Sequence, residues 1–345
     1  MKALVKYAPG EGNVEVRDMP EPTPGPHQVK IAVRAGGICG SDLHIYHNDI
    51  KLALEPPVIM GHEFAGVIAE VGEAVTGWQV GDRVTSETAA WVCGECISCR
   101  AGNYNTCAQK KLIGYVYNGC FANYVVVDAK RLHRLPENVD FVAGALTEPL
   151  ACCVHAVLEL TRVAAGDIVA ISGPGPIGLL CLQLVKASGA YAVVCGTSQD
   201  AARFEVARRL GADQTLNVQE VDAVQALRDM TRGEGSDVFF ECSGAPAAAR
   251  MGLEMVRRLG QYTQVGLFGR PFELDFELIA YKELKVTGSL GQKYPVWQRA
   301  LVLMARGQVD TGVLVSHTFP ITAWREAFRV FEAKEGLKIV LTPVP

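Results

Sequence analysis

Cys93, Cys96, Cys99 and Cys107 share one stretch with the spacing C-x2-C-x2-C-x7-C. Thiolates bind soft and borderline metals, and two-residue gaps let a short loop offer neighbouring ligands. Four thiolates at about 2.3 Å close a tetrahedron around zinc and leave no position for a substrate, so such a site is structural. An iron–sulfur cluster is also held by four cysteines, and four free thiols in a surface loop need no metal. Nothing else in the chain points to electron transfer, so zinc is the expectation. Its binding would fold a loop that has little apolar content of its own.

Gly173-Pro174-Gly175-Pro176-Ile177-Gly178 matches G-x-G-x-x-G. The pattern alone is weak, and a ligand-free glycine/proline turn is the plainer reading. Here it follows a run, Asp167 to Ser172, that reads as a buried strand. It opens a run, Pro176 to Lys186, that reads as a helix, the context dinucleotide binding requires. Gly173 would make the tight turn, Gly175 would let the backbone approach a pyrophosphate, and Gly178 would allow close helix–strand packing. The helix N-terminus attracts the anion.

An acid about 20 residues on would bond the ribose 2′-hydroxyl of NAD. The second strand instead ends Val194-Cys195-Gly196-Thr197-Ser198-Gln199-Asp200, and Asp200 comes late and reads as a helix N-cap. Without that carboxylate a 2′-phosphate is not repelled. Thr197 and Ser198 can donate to it, and Arg203 lies one turn further on. The expected cofactor is NAD or NADP, leaning to NADP. Arg203 as a solvated helix residue, or packed on adenine, is the alternative.

A third set of candidates is dispersed. Cys39-Gly40-Ser41-Asp42-Leu43-His44 and Gly61-His62-Glu63 read as glycine-punctuated loops, and Thr147-Glu148-Pro149-Leu150 sits where the texture of the chain changes. Cys39, His62 and a carboxylate suit a three-ligand zinc site with an open fourth position. Asp42 is placed to accept from the far nitrogen of His62 and fix its tautomer. Each also has a plain structural reading: a small buried cysteine, a satisfied loop histidine, a carboxylate at a helix start.

The elements that must position these groups fall into two textures. Before about residue 150, short β-branched runs such as Val29–Val33, Gly66–Val71 and Tyr124–Val127 are bounded by Gly, Pro or Asp. Beyond it, strand-like runs (Ala192–Cys195, Asp237–Cys242, Gln261–Val265) alternate with helix-like ones (Ala201–Leu210), which implies a parallel sheet covered on both faces. The end returns to mixed texture, with a helix near Trp324–Phe331 and a strand at Lys338–Leu341. A doubly wound domain inserted between two halves of a β-rich one fits this order. The 345 residues allow two domains at roughly 150 each.

Composition narrows the function. Hydrophobic residues make up 49% and charged residues 20%, which is globular. A net charge of −4 without long runs of one sign argues against nucleic acid or an anionic membrane as partner. The apolar stretch Ile168–Val185 is broken by three glycines and two prolines, so it reads as strand, turn and helix rather than a span. Eleven cysteines without a secretion signal favour thiolate or metal chemistry over disulfides, and a cytoplasmic protein.

With these residues together, the sequence resembles the zinc-dependent medium-chain alcohol dehydrogenases, in the sorbitol (polyol) and threonine dehydrogenase branch. The likeness covers essentially the whole chain. It rests on Gly37–His44, Gly61–Gly66, Val80–Val84, the four-cysteine loop, Glu148-Pro149-Leu150, the glycine turn and Glu241-Cys242-Ser243-Gly244. It implies a GroES-like catalytic domain (1–150 and 288–345, with the structural zinc loop 93–107) and an inserted Rossmann domain (151–287). The active site would lie in the cleft between them.

The likeness further implies Cys39 and His62 as catalytic zinc ligands, with Glu63 a ligand or exchange partner. Glu148 stands where the alcohol dehydrogenases have a cysteine. Ser41 and His44 would relay the proton. Ile177, Val265, Leu267, Ser289 and Arg203 would fall at cofactor contacts. Two zinc ions per chain and a homo-oligomer, dimer or tetramer, are implied. The function expected is oxidation of a secondary alcohol of a polyol, sugar alcohol or similar small substrate to the ketone. The alternatives are a threonine or amino-alcohol dehydrogenase and a non-catalytic dinucleotide sensor. The chain departs from the family at the ribose acid, at Gly291 where polyol dehydrogenases carry an arginine, and at Glu87–Trp91 where threonine dehydrogenases carry a histidine.

Overall fold

The computed structural model describes residues 1–344. The chain divides into two compact units, Cys152–Gly291 and the remainder on either side of it.

The flanking unit is built on a seven-stranded sheet. Its central strand Gln28–Gly37 pairs antiparallel with Glu63–Val71 on one side and with Tyr124–Asp128 and Lys338–Thr342 on the other. Val315–Pro320 then adds parallel to Lys338–Thr342, so the last segment of the chain completes a sheet begun by the first. Inward side chains of Val29, Ile31, Val33, Phe64, Ile68, Val125 and Ile339 form the core with Trp324 and Phe328 of the helix Trp324–Glu332. Only Tyr124–Asp128 shows the alternating burial of a sheet with one wet face; Gln28–Gly37, Glu63–Val71 and Lys338–Thr342 are buried over most of their length.

One difference from the sequence reading matters for the site. Gly40–His47 is an α-helix, not a loop. The Asp42 carboxylate at the third helical position accepts from the Cys39 amide at 2.8 Å, a reciprocal cap that starts the helix at Cys39, and Asn48 in the left-handed region ends it. Thr147–Val154 is likewise a helix, and the division between the units falls within it.

The inserted unit is a six-stranded, all-parallel sheet. Its order is Gln214–Asn217, Tyr191–Gly196, Ile168–Ser172, Ser236–Glu241, Val256–Gln264, Lys285–Gly288. In sequence order this is 3-2-1-4-5-6, the doubly wound arrangement whose ligands bind beyond the carboxyl ends of the strands. The first strand and the helix Pro176–Ala187 are apolar apart from Ser172, Gln183 and Lys186, as in elements buried within a sheet covered on both faces. The sixth strand, Lys285–Gly288, is an exposed edge that gave no alternating apolar signal in the sequence.

Candidate active site

The four loop cysteines converge: their sulfurs all lie within 4.8 Å of one another. Cys93 stands 3.8 Å from Cys99 and 3.6 Å from Cys107, close to the roughly 3.8 Å edge of a tetrahedron with 2.3 Å arms. Backbone N–H groups of Cys96 and Glu95 lower the Cys93 thiol to about 6, while burial and the neighbouring thiols push Cys99 up to about 12, so without a metal the four sulfurs share their protons as one cluster. This is a closed, all-sulfur donor set.

A second set forms in the same unit. Cys39, at the start of its helix, His62, and Glu63, at the start of the strand Glu63–Val71, bring ligand atoms within 4.8 Å of one another. Gly61 makes the approach possible: its φ is +89°, and a Cβ there would stand 2.6 Å from the Phe121 ring. Burial alone would lower the His62 imidazole. A hydrogen bond with Cys39 and the charges of Asp42, Cys39 and Glu148 outweigh it and raise it to about 10. A pocket this negative around one imidazole is a pocket for a cation.

Glu148 is not a member of that trio, but its field reaches His62. Burial raises its own carboxyl. Gln292 donates to it at 3.2 Å and to Thr88 at 2.8 Å. Glu63 is paired with the buried Lys338 ammonium, which also donates to the Ile38 carbonyl at 2.8 Å. The expected hydrogen bond between Asp42 and His62 is not made. Asp42 Oδ1 and His62 Nδ1 stand 3.9 Å apart and both lack a partner, because the other Asp42 oxygen is committed to capping the helix. Ser41 Oγ is buried beside the Tyr115 hydroxyl, while His44 is exposed and shares its Nδ1 with Asp49 at 2.9 Å. The two relay residues are therefore on one helix without being bonded to each other.

In the inserted unit the glycine turn has the geometry of a pyrophosphate cradle. Gly173 takes φ +85°. A Cβ on Gly178 would stand 2.0 Å from the Gly173 carbonyl, whereas one on Gly175 would enter open space. Pro176 and Ile177 open the helix, with Pro in the first turn where its missing N–H costs nothing.

The ribose end departs from the sequence reading. Asp200 does not cap the following helix; its Oδ2 accepts from the amide and hydroxyl of Thr197, both at 3.0 Å, and its Oδ1 pairs with Arg203 at 3.4 Å. The Ser198 hydroxyl accepts from Asn217 at 2.9 Å. A cavity of about 320 Å³ lies here, lined by Thr197, Ser198, Phe204, Arg208, Thr215 and Asn217. Val265 and Gly266 donate their amides to the Glu241 carbonyl, Leu267 is exposed, and the Ser289 amide donates to Gln264.

Gln292, Thr88, Lys338 and Arg208 were not singled out by sequence reasoning. Their partners are 144 residues distant for Gln292 and 275 for Lys338, so no local spacing marks them.

Two sulfur-containing donor sets, one closed and one of mixed sulfur, nitrogen and oxygen, together with a nucleotide-binding sheet, define a metal-dependent oxidoreductase. Residues 25–137 match the alcohol dehydrogenase GroES-like domain and residues 176–306 the zinc-binding dehydrogenase family. The chain is 46% identical to a sorbitol dehydrogenase of Halalkalibacterium halodurans over the full length of both. It is 39% identical to an L-threonine 3-dehydrogenase of Pyrococcus horikoshii, over 99% of this chain and 98% of the relative. A zinc-binding dehydrogenase from Sinorhizobium meliloti, solved bound to NADP, superposes with a TM-score of 0.91 at 33% identity over 99% of each chain. The chain belongs to the zinc-dependent medium-chain dehydrogenases, in the polyol and threonine dehydrogenase branch.

Proposed function

We propose that the chain is a zinc- and NAD(P)-dependent dehydrogenase that oxidises a secondary alcohol of a polyol, sugar alcohol or similar small substrate to the ketone. The observation that carries this is the convergence of Cys39, His62 and Glu63, with the field of Glu148 reaching His62. When bound, the zinc polarises the alcohol oxygen and the nicotinamide accepts the hydride. Cys39, His62 and a carboxylate, Glu63 or Glu148, hold the metal. Ser41 Oγ, buried on the helix that Cys39 begins, takes the hydroxyl proton, and the exposed His44 on the same helix passes it to solvent. Cys93, Cys96, Cys99 and Cys107 hold a second, structural zinc. Gly173, Gly175, Ile177 and Gly178 cradle the pyrophosphate, and Val265, Leu267 and Ser289 flank the nicotinamide end. Thr197, Ser198 and Arg203 support NADP, with Asp200 as the competitor a 2′-phosphate must displace from Thr197 and Arg203.

The 46% identity to a sorbitol dehydrogenase favours a polyol over threonine. No helix among the described residues is long and apolar enough to cross a membrane. Free cysteines throughout the described chain support a reducing, cytoplasmic setting. The family likeness supports a homo-oligomer, dimer or tetramer.

The test is a metal count by mass spectrometry with a reduced-nicotinamide assay across polyols, amino alcohols and both cofactors. About two zinc ions per chain and turnover of polyols are expected. Cys39→Ala is expected to fold, to lose about one zinc and to abolish turnover. Full turnover by that variant sinks the assignment. Ser41→Ala should lower kcat by about 10²–10⁴ with the zinc count unchanged.

A further inference from the structure

Gln292 is 3% exposed and sits at the catalytic donor set without being a metal ligand. Its Nε2 makes two hydrogen bonds, to Thr88 Oγ1 at 2.8 Å and Glu148 Oε1 at 3.2 Å. Its Oε1 is buried and has no partner. The orientation follows from the neighbours: a carboxylate beside the amide takes the N–H side, so the carbonyl must face the other way. A buried acceptor left unsatisfied carries a desolvation penalty, which a ligand that donates to it relieves.

The chemistry of that ligand is constrained. An acceptor oxygen next to a carboxylate repels an anionic substituent. The buried cation of this cluster, Lys338, is already held by Glu63 and the Ile38 carbonyl. A neutral donor fits best.

We propose that Gln292 determines specificity at the dehydrogenase site: its Oε1 accepts a hydrogen bond from a hydroxyl on the carbon next to the carbinol being oxidised. The substrate unit is therefore a vicinal diol of a neutral polyol. This rests on the dehydrogenase reading above and narrows it. The neighbouring hydroxyl is unchanged by the reaction. The carbinol gives its hydride to the oxidised nicotinamide and its hydroxyl proton to solvent, leaving an α-hydroxyketone.

The experiment compares kcat/KM for 2,3-butanediol and 2-butanol in the wild type and in Gln292→Met, a variant of similar size without the acceptor. The wild type should favour the diol by about 10- to 100-fold, the value of one donor to a buried polar partner. Gln292→Met should lose most of that preference, kcat/KM for the diol falling by about 10-fold more than that for 2-butanol. Gln292→Asn, which keeps an amide but falls one methylene short, is expected to lose the preference too and covers a failure of the Met variant to fold. An equal fall for both alcohols would show that Gln292 only holds Glu148 in place, and overturns the proposal. A wild type indifferent to the second hydroxyl overturns it without any variant. L-Threonine showing the Gln292 dependence in place of the diol overturns the hydroxyl assignment in favour of an ammonium. If zinc-loaded wild type turns over neither alcohol nor any polyol, the dehydrogenase reading falls and takes this one with it, a pattern distinct from turnover without diol preference.

Discussion

At the residue scale the site is an exercise in charge compensation. Glu63 and Lys338 are both almost fully buried, and the Lys338 ammonium meets one charged partner and one carbonyl. Removing one member of such a pair leaves a buried charge unanswered. Lys338→Met is therefore expected to cost about 3–5 kcal/mol, read as a lowered urea midpoint at unchanged slope. A loss under about 1 kcal/mol would mean that water already solvates Glu63. None of this could be read from the sequence. Glu63 was marked by its position after His62, but the lysine that balances it lies on the last strand, and Lys338 reads there as an ordinary strand residue. The same holds for Gln292, known in the sequence only as the residue after a departure from the family pattern. Ser41 and His44, by contrast, were legible as a pair, and their helical placement one turn apart is a refinement that the Asp42 cap explains.

At the element scale the glycine turn separates two roles that the pattern alone assigns together. Gly178 faces the Gly173 carbonyl at a distance no Cβ can occupy, so its absence of a side chain serves packing. Gly175 faces open space in an extended conformation that alanine adopts without strain, so its absence of a side chain serves a ligand. Gly178→Ala is expected to destabilise by about 2 kcal/mol or more by overpacking. Gly175→Ala should unfold at nearly the wild-type temperature but bind dinucleotide on the order of tenfold more weakly, the worth of one lost backbone contact. Thermal unfolding and fluorescence titration with NADH and NADPH check both. The opposite pattern, a destabilised Gly175→Ala with intact affinity, would assign the roles the other way. This element was legible because all its parts are local. A strand, a tight turn and a helix start follow one another within a dozen residues, so spacing carries the geometry. The Asp200 turn was misread because an acid just before a helix matches the N-cap pattern, whereas this one turns back to Thr197.

At the scale of the whole molecule, both ends of the chain build one unit, and the structural loop is tied into it by more than its cysteines. Tyr104, inside the loop, donates to the buried Glu87 at 2.8 Å and accepts from the Tyr294 amide at 2.5 Å, while Lys293 donates to Asn103 at 2.9 Å. Glu87 is also held by Arg131 and His133. The next residues along these two segments, Thr88 and Gln292, are the ones that meet beside Glu148. The four-cysteine spacing foretold a folded loop, but not that segments some 200 residues apart would close on it. The loop should accordingly matter beyond its own fold. Cys107→Ser removes one of four thiolates, and Cys107 is the buried one. The variant is expected to lose about one zinc per chain while the site of Cys39 and His62 keeps its own. Loss of the metal crosslink should lower stability by about 2–4 kcal/mol, or roughly 5–15 °C in Tm for a unit of this size. Because Tyr104 then loses its anchor, kcat should fall even though the catalytic ligands are intact. Tyr104→Phe, which keeps all four thiolates and both metals, separates the two effects: it should reproduce part of the loss in kcat with a full zinc count. If Cys107→Ser lowers Tm but leaves kcat untouched, the loop is a stabilising crosslink alone, and the contacts from Tyr104 through Glu87 and Tyr294 do not reach the chemistry at Glu148.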